Sequence, residues 1–335
     1  MASDPAPLDL SSATATNPPV TLLVPLDRIT DPVRGGAVTI GNFDGVHRGH
    51  AALLGRVRRL ADRLGGPAVA VAFDPHPAAI LRPERTPPKL TWMERRAELL
   101  HSLGIDYLVV CGVTRDFLQT SAELFFRQLV VGQLAARGMV EGPNFFFGHG
   151  RQGDVAMLRT LCQRDGVVLE IVEPVVRSVA GSEGMVSSTL VRRLIEDGLV
   201  ERAAELLGHP HRIRGRVVAG DRRGRTIGFP TANLAEIDVL VPRPGVYGGY
   251  AHVAGRAYAA AIHLGPRPTF ETQPSPQVEA HLLDFSGDLY GRPVQLDLVV
   301  KVRDIARFES ADNLVEQLRR DVTAVREKLA MSPRP

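Results

Sequence analysis

From Ala37 to about residue 176, short apolar runs alternate with amphipathic stretches. Ala37–Ile40 (AVTI), Ala68–Phe73 (AVAVAF), Tyr107–Val113, Met139–Glu141 and Val167–Val176 read as strands. AVAVAF is apolar throughout, as a strand covered on both faces should be. Between them the spacing predicts helices over His50–Gly65, Trp92–Leu103, Ser121–Ala136 and Asp154–Arg164. The first carries Leu53, Val57, Leu60 and Leu64 on one stripe and Arg56, Arg59 and Arg63 elsewhere, and Gly65-Gly66-Pro67 ends it. Thr120 with Glu123 predicts a capping box for the third helix. Strand-helix alternation of this kind argues for a parallel, doubly wound sheet.

The pattern changes further on. Two helices, Ser187–Asp197 and Val200–Leu207, form a connector, and beyond about residue 210 strands follow one another without helices. These are Ile213–Ala219, Val246–Val253, Ala257–Leu264, Gln277–Phe285 and Val294–Val302, separated by Gly and Pro turns such as PRPG (Pro242–Gly245). Several short strands in succession predict a small β-barrel or sandwich. One amphipathic helix closes the chain, Ser310–Ala330, with Leu314, Leu318, Val322, Val325 and Leu329 on its apolar stripe. The Ala, Ser, Thr and Pro bias of residues 1–19 reads as a disordered tail without the basic and apolar regions of a secretory signal. The expected division is therefore 1–19, 20–186, 187–209 and 210–335.

Composition alters this picture little. A chain of 335 residues suits two domains, and a formal net charge of +3 points weakly to anionic ligands such as nucleotides. It is too small to imply nucleic-acid binding. Cys111 and Cys162 sit in apolar stretches and read as reduced core thiols of a cytoplasmic protein. No apolar run approaches the roughly 18 residues that would span a bilayer, so no membrane association is expected.

The chemistry begins at VTIGNFDGVHRGH (Val38–His50), where glycines, a carboxylate and two histidines crowd a strand-to-helix junction. A tight turn, a metal site and a phosphate cradle compete as readings. Gly41, Gly45 and Gly49 let backbone approach a ligand, and the helix start behind them offers unpaired N–H groups. His47 and His50 are three apart and project to one side of that start. No further ligands stand nearby at metal-site spacing, and a structural turn leaves the paired histidines unexplained. The favoured reading is a phosphate cradle. The chain has no Walker A loop, and the GxGxxG match at Gly148–Gly153 lies far from the first strand and is treated as chance.

GNFDGVHRGH resembles the HxGH signature of the nucleotidylyltransferases, in the form typical of prokaryotic bifunctional riboflavin kinase/FAD synthetases. AFDPHP (Ala72–Pro77), GPNFFFGHGRQGD (Gly142–Asp154) and SSTLVRRLIEDG (Ser187–Gly198) match the same family in the same order. The resemblance implies that His47 and His50 stabilise the α-phosphate of ATP in the transition state. It implies that Ser188, Thr189 and Arg192 hold the triphosphate, with Gly41, Phe43, Asp44 and Gly45 lining the nucleotide site. Asn144 and Phe145 fall in its flavin mononucleotide (FMN) site, with Asp154 nearby. Asp74 and His76 line the nucleotide pocket or simply form a strand-end turn. His149 stands where many relatives carry lysine.

A second constellation opens the later half. GDRRGRTIGFPTANL (Gly220–Leu234) interleaves glycines with Arg222, Arg223 and Arg225, a composition suited to polyphosphate or to a solvated basic hairpin. Thr231 and Asn233 are two apart and share a side of an extended segment, and neutral oxygens of that kind suit Mg²⁺. In QVEAHLLDF, Val278, Ala280 and Leu282 face one way and Glu279 and His281 the other. GFPTAN and VEAHLLDF resemble the flavokinase motifs. The resemblance implies that Thr231 and Asn233 bind Mg²⁺ with ATP and that Gly220, Arg225, Gly228 and Pro230 form the nucleotide loop. It makes Glu279 the base that accepts the ribityl hydroxyl proton. Arg303 and GPRPTF (Gly265–Phe270) lie near the flavin, and His263 stands where relatives commonly carry asparagine.

Taken together, the resemblance implies an α/β Rossmann-like nucleotidylyltransferase domain followed by a mainly antiparallel β-barrel riboflavin kinase domain with a C-terminal helix. The implied substrates are ATP, riboflavin and FMN, with Mg²⁺ accompanying ATP and flavins as substrate and product rather than fixed cofactors.

Overall fold

The structure, a computed structural model, describes residues 22–179, 182–220, 224, 227–265 and 277–331. Arg222, Arg223, Arg225 and all of GPRPTF except Gly265 lie outside the described residues. The first half contains β1 (Leu22–Pro25), β2 (Ala37–Ile40), α1 (Arg48–Leu64), β3 (Ala68–Asp74), α2 (Pro77–Leu81), α3 (Met93–Ser102) and β4 (Tyr107–Gly112). It continues with α4 (Arg115–Leu118), α5 (Ala122–Phe125), β5 (Gly138–Glu141), α6 (Val155–Arg164) and β6 (Val168–Ile171). Six of these strands form one sheet in the order β1-β4-β3-β2-β5-β6, and every pairing is parallel.

The alternation of strand side chains explains the three layers. Val38, Ile40, Val69, Val71 and Val109 pack on one face against Phe125, Phe126, Leu129, Leu158 and Leu161. Alanines dominate the other face, where Ala37, Ala68, Ala70 and Ala72 let α1 and α3 come close through Leu54, Val57, Leu60 and Leu100. Cys111 and Cys162 are buried and free, and burial pushes each thiol up to about 11.

An antiparallel pair, β7 (Val176–Val179) and β8 (Ser182–Met185), leads to α7 (Ser188–Glu196) and α8 (Val200–Leu207). The second half is a closed barrel, which decides between barrel and sandwich. Its strands are β9 (His211–Val218), β10 (Ala232–Ala235), β11 (Gly245–Val253), β12 (Arg256–Leu264), β13 (Val278–Leu282) and β14 (Pro293–Arg303). Their order is β10-β13-β12-β11-β14-β9, closed by the β9–β10 pairing. Burial along β13 alternates, as expected, with Val278, Ala280 and Leu282 inward. The closing helix α9 (Ala311–Met331) packs Val325 and Leu329 on Leu283 and Val300.

Several expected elements are corrected. The run Val167–Val176 is not one strand; it splits into β6 and β7 around an irregular stretch. The helix expected over Ser121–Ala136 is α5 followed by a π-helical segment, Phe126–Gln133. Its N-cap is Ser121, whose hydroxyl accepts from the Leu124 N–H, rather than Thr120. On α1 the fully buried positions are Leu54, Val57, Leu60 and Ala61, with Leu53 and Leu64 at the margin of the stripe. Among the described residues, no helix is long and apolar enough to cross a membrane.

Candidate active sites

Asp44 organises the glycine-rich loop. Its carboxylate, 6% exposed, accepts from the Leu90 and Thr91 backbone N–H groups, the Thr91 hydroxyl, Arg96 and Arg192. Burial alone would raise its pKa; Arg96, Arg192 and the backbone donors outweigh it and hold the carboxyl below the usual range. The loop is tied further by Gly45, whose N–H donates to Thr91 Oγ1 and whose carbonyl meets His209 Nε2 at 3.0 Å. Gly41 donates to the Val71 carbonyl, and the Phe43 ring is packed beneath it.

His47 is the N-cap of α1. Its Nδ1 accepts from the His50 N–H at 3.3 Å, so the single proton of the neutral ring sits on Nε2. The His47 and His50 rings stack with centroids 3.6 Å apart. Burial brings His47 down to about 4 and drives His50 well below the usual histidine value, with His47 and Arg96 adding to the effect. Two neutral imidazoles therefore stand at a helix start. The α7 start lies against it: Ser187 caps α7, Ser188 donates to the Asp44 carbonyl, and a Cβ on Gly49 would lie 3.3 Å from the Val186 carbonyl. Two converging N-termini with neutral N–H donors suit a polyphosphate.

Thr189 lies on the first turn of α7, and Arg192 donates to Asp44 and to the Pro88 carbonyl. Asp74 ends β3, and His76 caps α2 by accepting from the Ala78 N–H. Burial lowers the His76 pKa, with Arg192 adding to it, and Asp74 acts electrostatically on Arg96. The end of β3 thus shares the electrostatic neighbourhood of the glycine loop. Sequence reasoning missed Thr91 and Arg96, the partners that fix Asp44, and Asn42, whose Oδ1 is buried without a partner among the described residues, as is His50 Nδ1. Asn42 was findable, since it lies inside the motif.

Across the sheet ends, Asn144 is exposed and Phe145 stacks on Phe147 at 5.4 Å. The rings continue through Phe125 and Phe117 to Phe73, an aromatic row that the sequence alone did not assemble. Asp154 is the N-cap of α6, its carboxylate accepting from the Met157 N–H at 2.8 Å, and His149 is exposed.

A cavity of about 510 Å³ lies between the outer face of β10, β13 and β12 and α9. Thr231, Asn233, His263, Glu279 and Arg303 all line it, with Gly220 and Gly224 at its edge. The register explains this: Asn233 and His263 both pair with Glu279, so three polar side chains share one face. Thr231 Oγ1 donates to Glu279 Oε2 at 3.3 Å and Gln277 Nε2 to Glu279 Oε1 at 2.6 Å. A Cβ on Gly220 would lie 2.3 Å from the Asn233 amide. Gly228 takes a left-handed φ of 85°, and the Pro230 carbonyl meets His281 Nδ1 at 2.8 Å. Burial lowers the His263 pKa, partly offset by Glu279. Arg303 is committed: it pairs in two-pronged fashion with Asp321 of α9, which also accepts from Gln317. Asp321 and Gln317 were not anticipated, because their partner is on another element.

No cluster of three or more His, Cys, Asp or Glu that could hold a metal occurs among the described residues. The barrel cavity instead offers the neutral oxygens of Thr231 and Asn233 beside one carboxylate, a donor set that fits a cation sharing its shell with nucleotide oxygens and water.

A parallel nucleotide-type sheet with a phosphate cradle, joined to a barrel with a carboxylate-lined cavity, defines a two-site nucleotide-dependent transferase. The FAD synthetase family model matches residues 30–190 and the riboflavin kinase family model residues 207–329. The bifunctional riboflavin kinase/FMN adenylyltransferase of Escherichia coli K12 is 38% identical over 88% of this chain and 93% of that protein. Those of Haemophilus influenzae and Bacillus subtilis are 34% and 33% identical, over 87% and 85% of this chain and 93% and 89% of theirs. A crystal structure described as a macrolide-efflux protein from Streptococcus pneumoniae superposes with a TM-score of 0.81 at 30% identity, over 91% of this chain and 98% of that one. The chain belongs to the bifunctional riboflavin kinase/FMN adenylyltransferase family, with the FAD synthetase part first and the flavokinase part second. Use of ATP and a divalent metal goes with that membership.

Proposed function

We propose that the barrel cavity phosphorylates riboflavin with Mg²⁺-ATP and that the cradle at the α1 and α7 starts adenylylates the resulting FMN. The observation that carries this division is that each half has its own polar cluster. Neutral His47 and His50 stand in one, and Thr231, Asn233 and Glu279 in the other.

In the barrel, the ribityl 5′-hydroxyl of riboflavin attacks the γ-phosphorus of ATP. Glu279 takes the hydroxyl proton, the bond to the β,γ-bridging oxygen breaks, and ADP leaves. Thr231 and Asn233 would hold Mg²⁺, which when bound neutralises charge on the phosphate oxygens. Arg303, fixed by Asp321, forms the wall on the α9 side, where the flavin would lie. Gly220, Gly228 and Pro230 shape the nucleotide edge; Arg225 belongs with them by its place in the motif.

In the α/β half, a phosphate oxygen of FMN attacks the α-phosphorus of a second ATP in line, and pyrophosphate leaves. The attacking oxygen is already ionised, so no general base is needed. His47 and His50 contribute N–H donors to the α-phosphate oxygens as charge develops, and water is kept from their inner faces by burial. Ser188, Thr189 and Arg192 hold the outgoing phosphates, with Gly41, Phe43, Asp44 and Gly45 shaping the loop and Asp74 and His76 its far wall. Asn144 and Phe145 face the flavin, and Asp154 orders the helix behind them. The division 1–19, 20–186, 187–209 and 210–335 follows this reading.

The test is to assay FMN and FAD formation separately. His47→Ala with His50→Ala is expected to abolish FAD formation and spare FMN formation; Glu279→Ala is expected to do the reverse with added FMN. A folded variant that lost both activities would refute the two-site division.

A further inference from the structure

The sheet order reverses between β2 and β5: β3 and β4 follow on one side and β6 on the other. Ligands of open α/β sheets bind at the carboxyl ends of the strands where such a reversal occurs. Here the two central strands part early. Their ladder stops at Val38↔Met139, whereas β2–β3 runs on to Ile40↔Val71 and β5–β6 to Glu141↔Ile171.

Glu141 spans the gap. Its side chain, on a residue 2% exposed, accepts the Ile40 N–H through Oε1 at 2.8 Å, replacing the ladder bond that β5 no longer supplies. The next residue, Gly41, donates to Val71 on the other side, so the glycine loop leaves β2 from a point pinned both ways. The Glu141 main chain in turn accepts from Val172 of the segment after β6, and Gly142-Pro143-Asn144 begins directly after it. One residue therefore sets the spacing between the histidine loop and the Asn144 loop. Burial drives its carboxyl well above the ordinary range.

Building on the adenylyl site assigned above, we propose that Glu141 is a positioning residue for adenylyl transfer. Its side chain fixes the width of the crevice across which the FMN phosphate and the α-phosphate of ATP meet. A small displacement of in-line partners lowers the rate by one to two orders of magnitude.

The test uses the full chain, Glu141→Gln and Glu141→Leu, with kcat and KM for both activities and His47→Ala/His50→Ala in parallel. The expected result is that Glu141→Leu loses about 10- to 100-fold in kcat for FAD formation with little change in KM. Riboflavin phosphorylation in the same preparation is expected to be unchanged. Glu141→Gln, which keeps an oxygen for the Ile40 N–H, is expected to restore most of that loss. Full FAD formation by Glu141→Leu, equal impairment of both variants, or parallel loss of both activities would each overturn the proposal. If the histidine variant kept FAD formation, the adenylyl-site reading itself would fail; if only Glu141→Leu kept it, that reading would stand and the role of Glu141 would not.

Discussion

At the residue scale, the histidines were legible and their supports were not. Two imidazoles three apart behind a glycine loop announce themselves in one line of sequence. The buried carboxylate beside them is fixed by Leu90, Thr91, Arg96 and Arg192, from 46 to 148 residues away, and no local pattern could announce that. Removing one partner of a buried ion pair strands the others, so Asp44→Ala is expected to cost about 3–5 kcal/mol, read as a lowered unfolding midpoint. Burial holds His47 near 4, whereas in the unfolded chain it takes up its proton near 6.5. Between these values the unfolded state binds more protons, so this contribution to stability is complete above 6.5 and lost as pH falls toward 4. An NMR titration is expected to show no protonation of His47 between pH 8 and 5; a midpoint near 6.5 would contradict its burial as a neutral donor.

At the element scale, long periodic segments were legible because their pattern repeats over several turns. Two short strands, β1 and β10, were not, although β2 and β5 of the same four-residue length stood out from the regular strand-helix alternation around them. The apolar run after α6 was misread because β-branched residues continue through an irregular stretch, and apolarity alone does not fix where pairing stops. The closeness of the α1 and α7 starts appears only in three dimensions, and Gly49 makes it possible. Helix propensity alone would favour Gly49→Ala by about 1 kcal/mol. The added Cβ would instead sit 3.1 Å from the His47 ring and 3.3 Å from the Val186 carbonyl. FAD formation is expected to fall while FMN formation stays unchanged, measured in one preparation; an unaltered FAD rate would show that the two helix starts do not act together.

At the scale of the whole molecule, the segment that Asp44 grips also holds the barrel. Leu90 packs with Leu206, Leu207 and Leu240, and the Lys89 carbonyl accepts from Leu240. Trp92 enters the barrel's own core cluster, with Arg214 over its ring at 4.8 Å. Trp92→Ala is therefore expected to cost about 3–5 kcal/mol and to separate one thermal transition into two by calorimetry. The motifs told which chemistry each half carries, but not that one four-residue stretch, Lys89–Trp92, ties the halves together.

The most direct test of the two-site account is product analysis after incubation with riboflavin, ATP and Mg²⁺. The full chain is expected to give FMN and then FAD, the His47→Ala/His50→Ala variant to stop at FMN, and Glu279→Ala to make FAD only when FMN is added. A folded full chain yielding a single product, or either variant losing both steps, would contradict it.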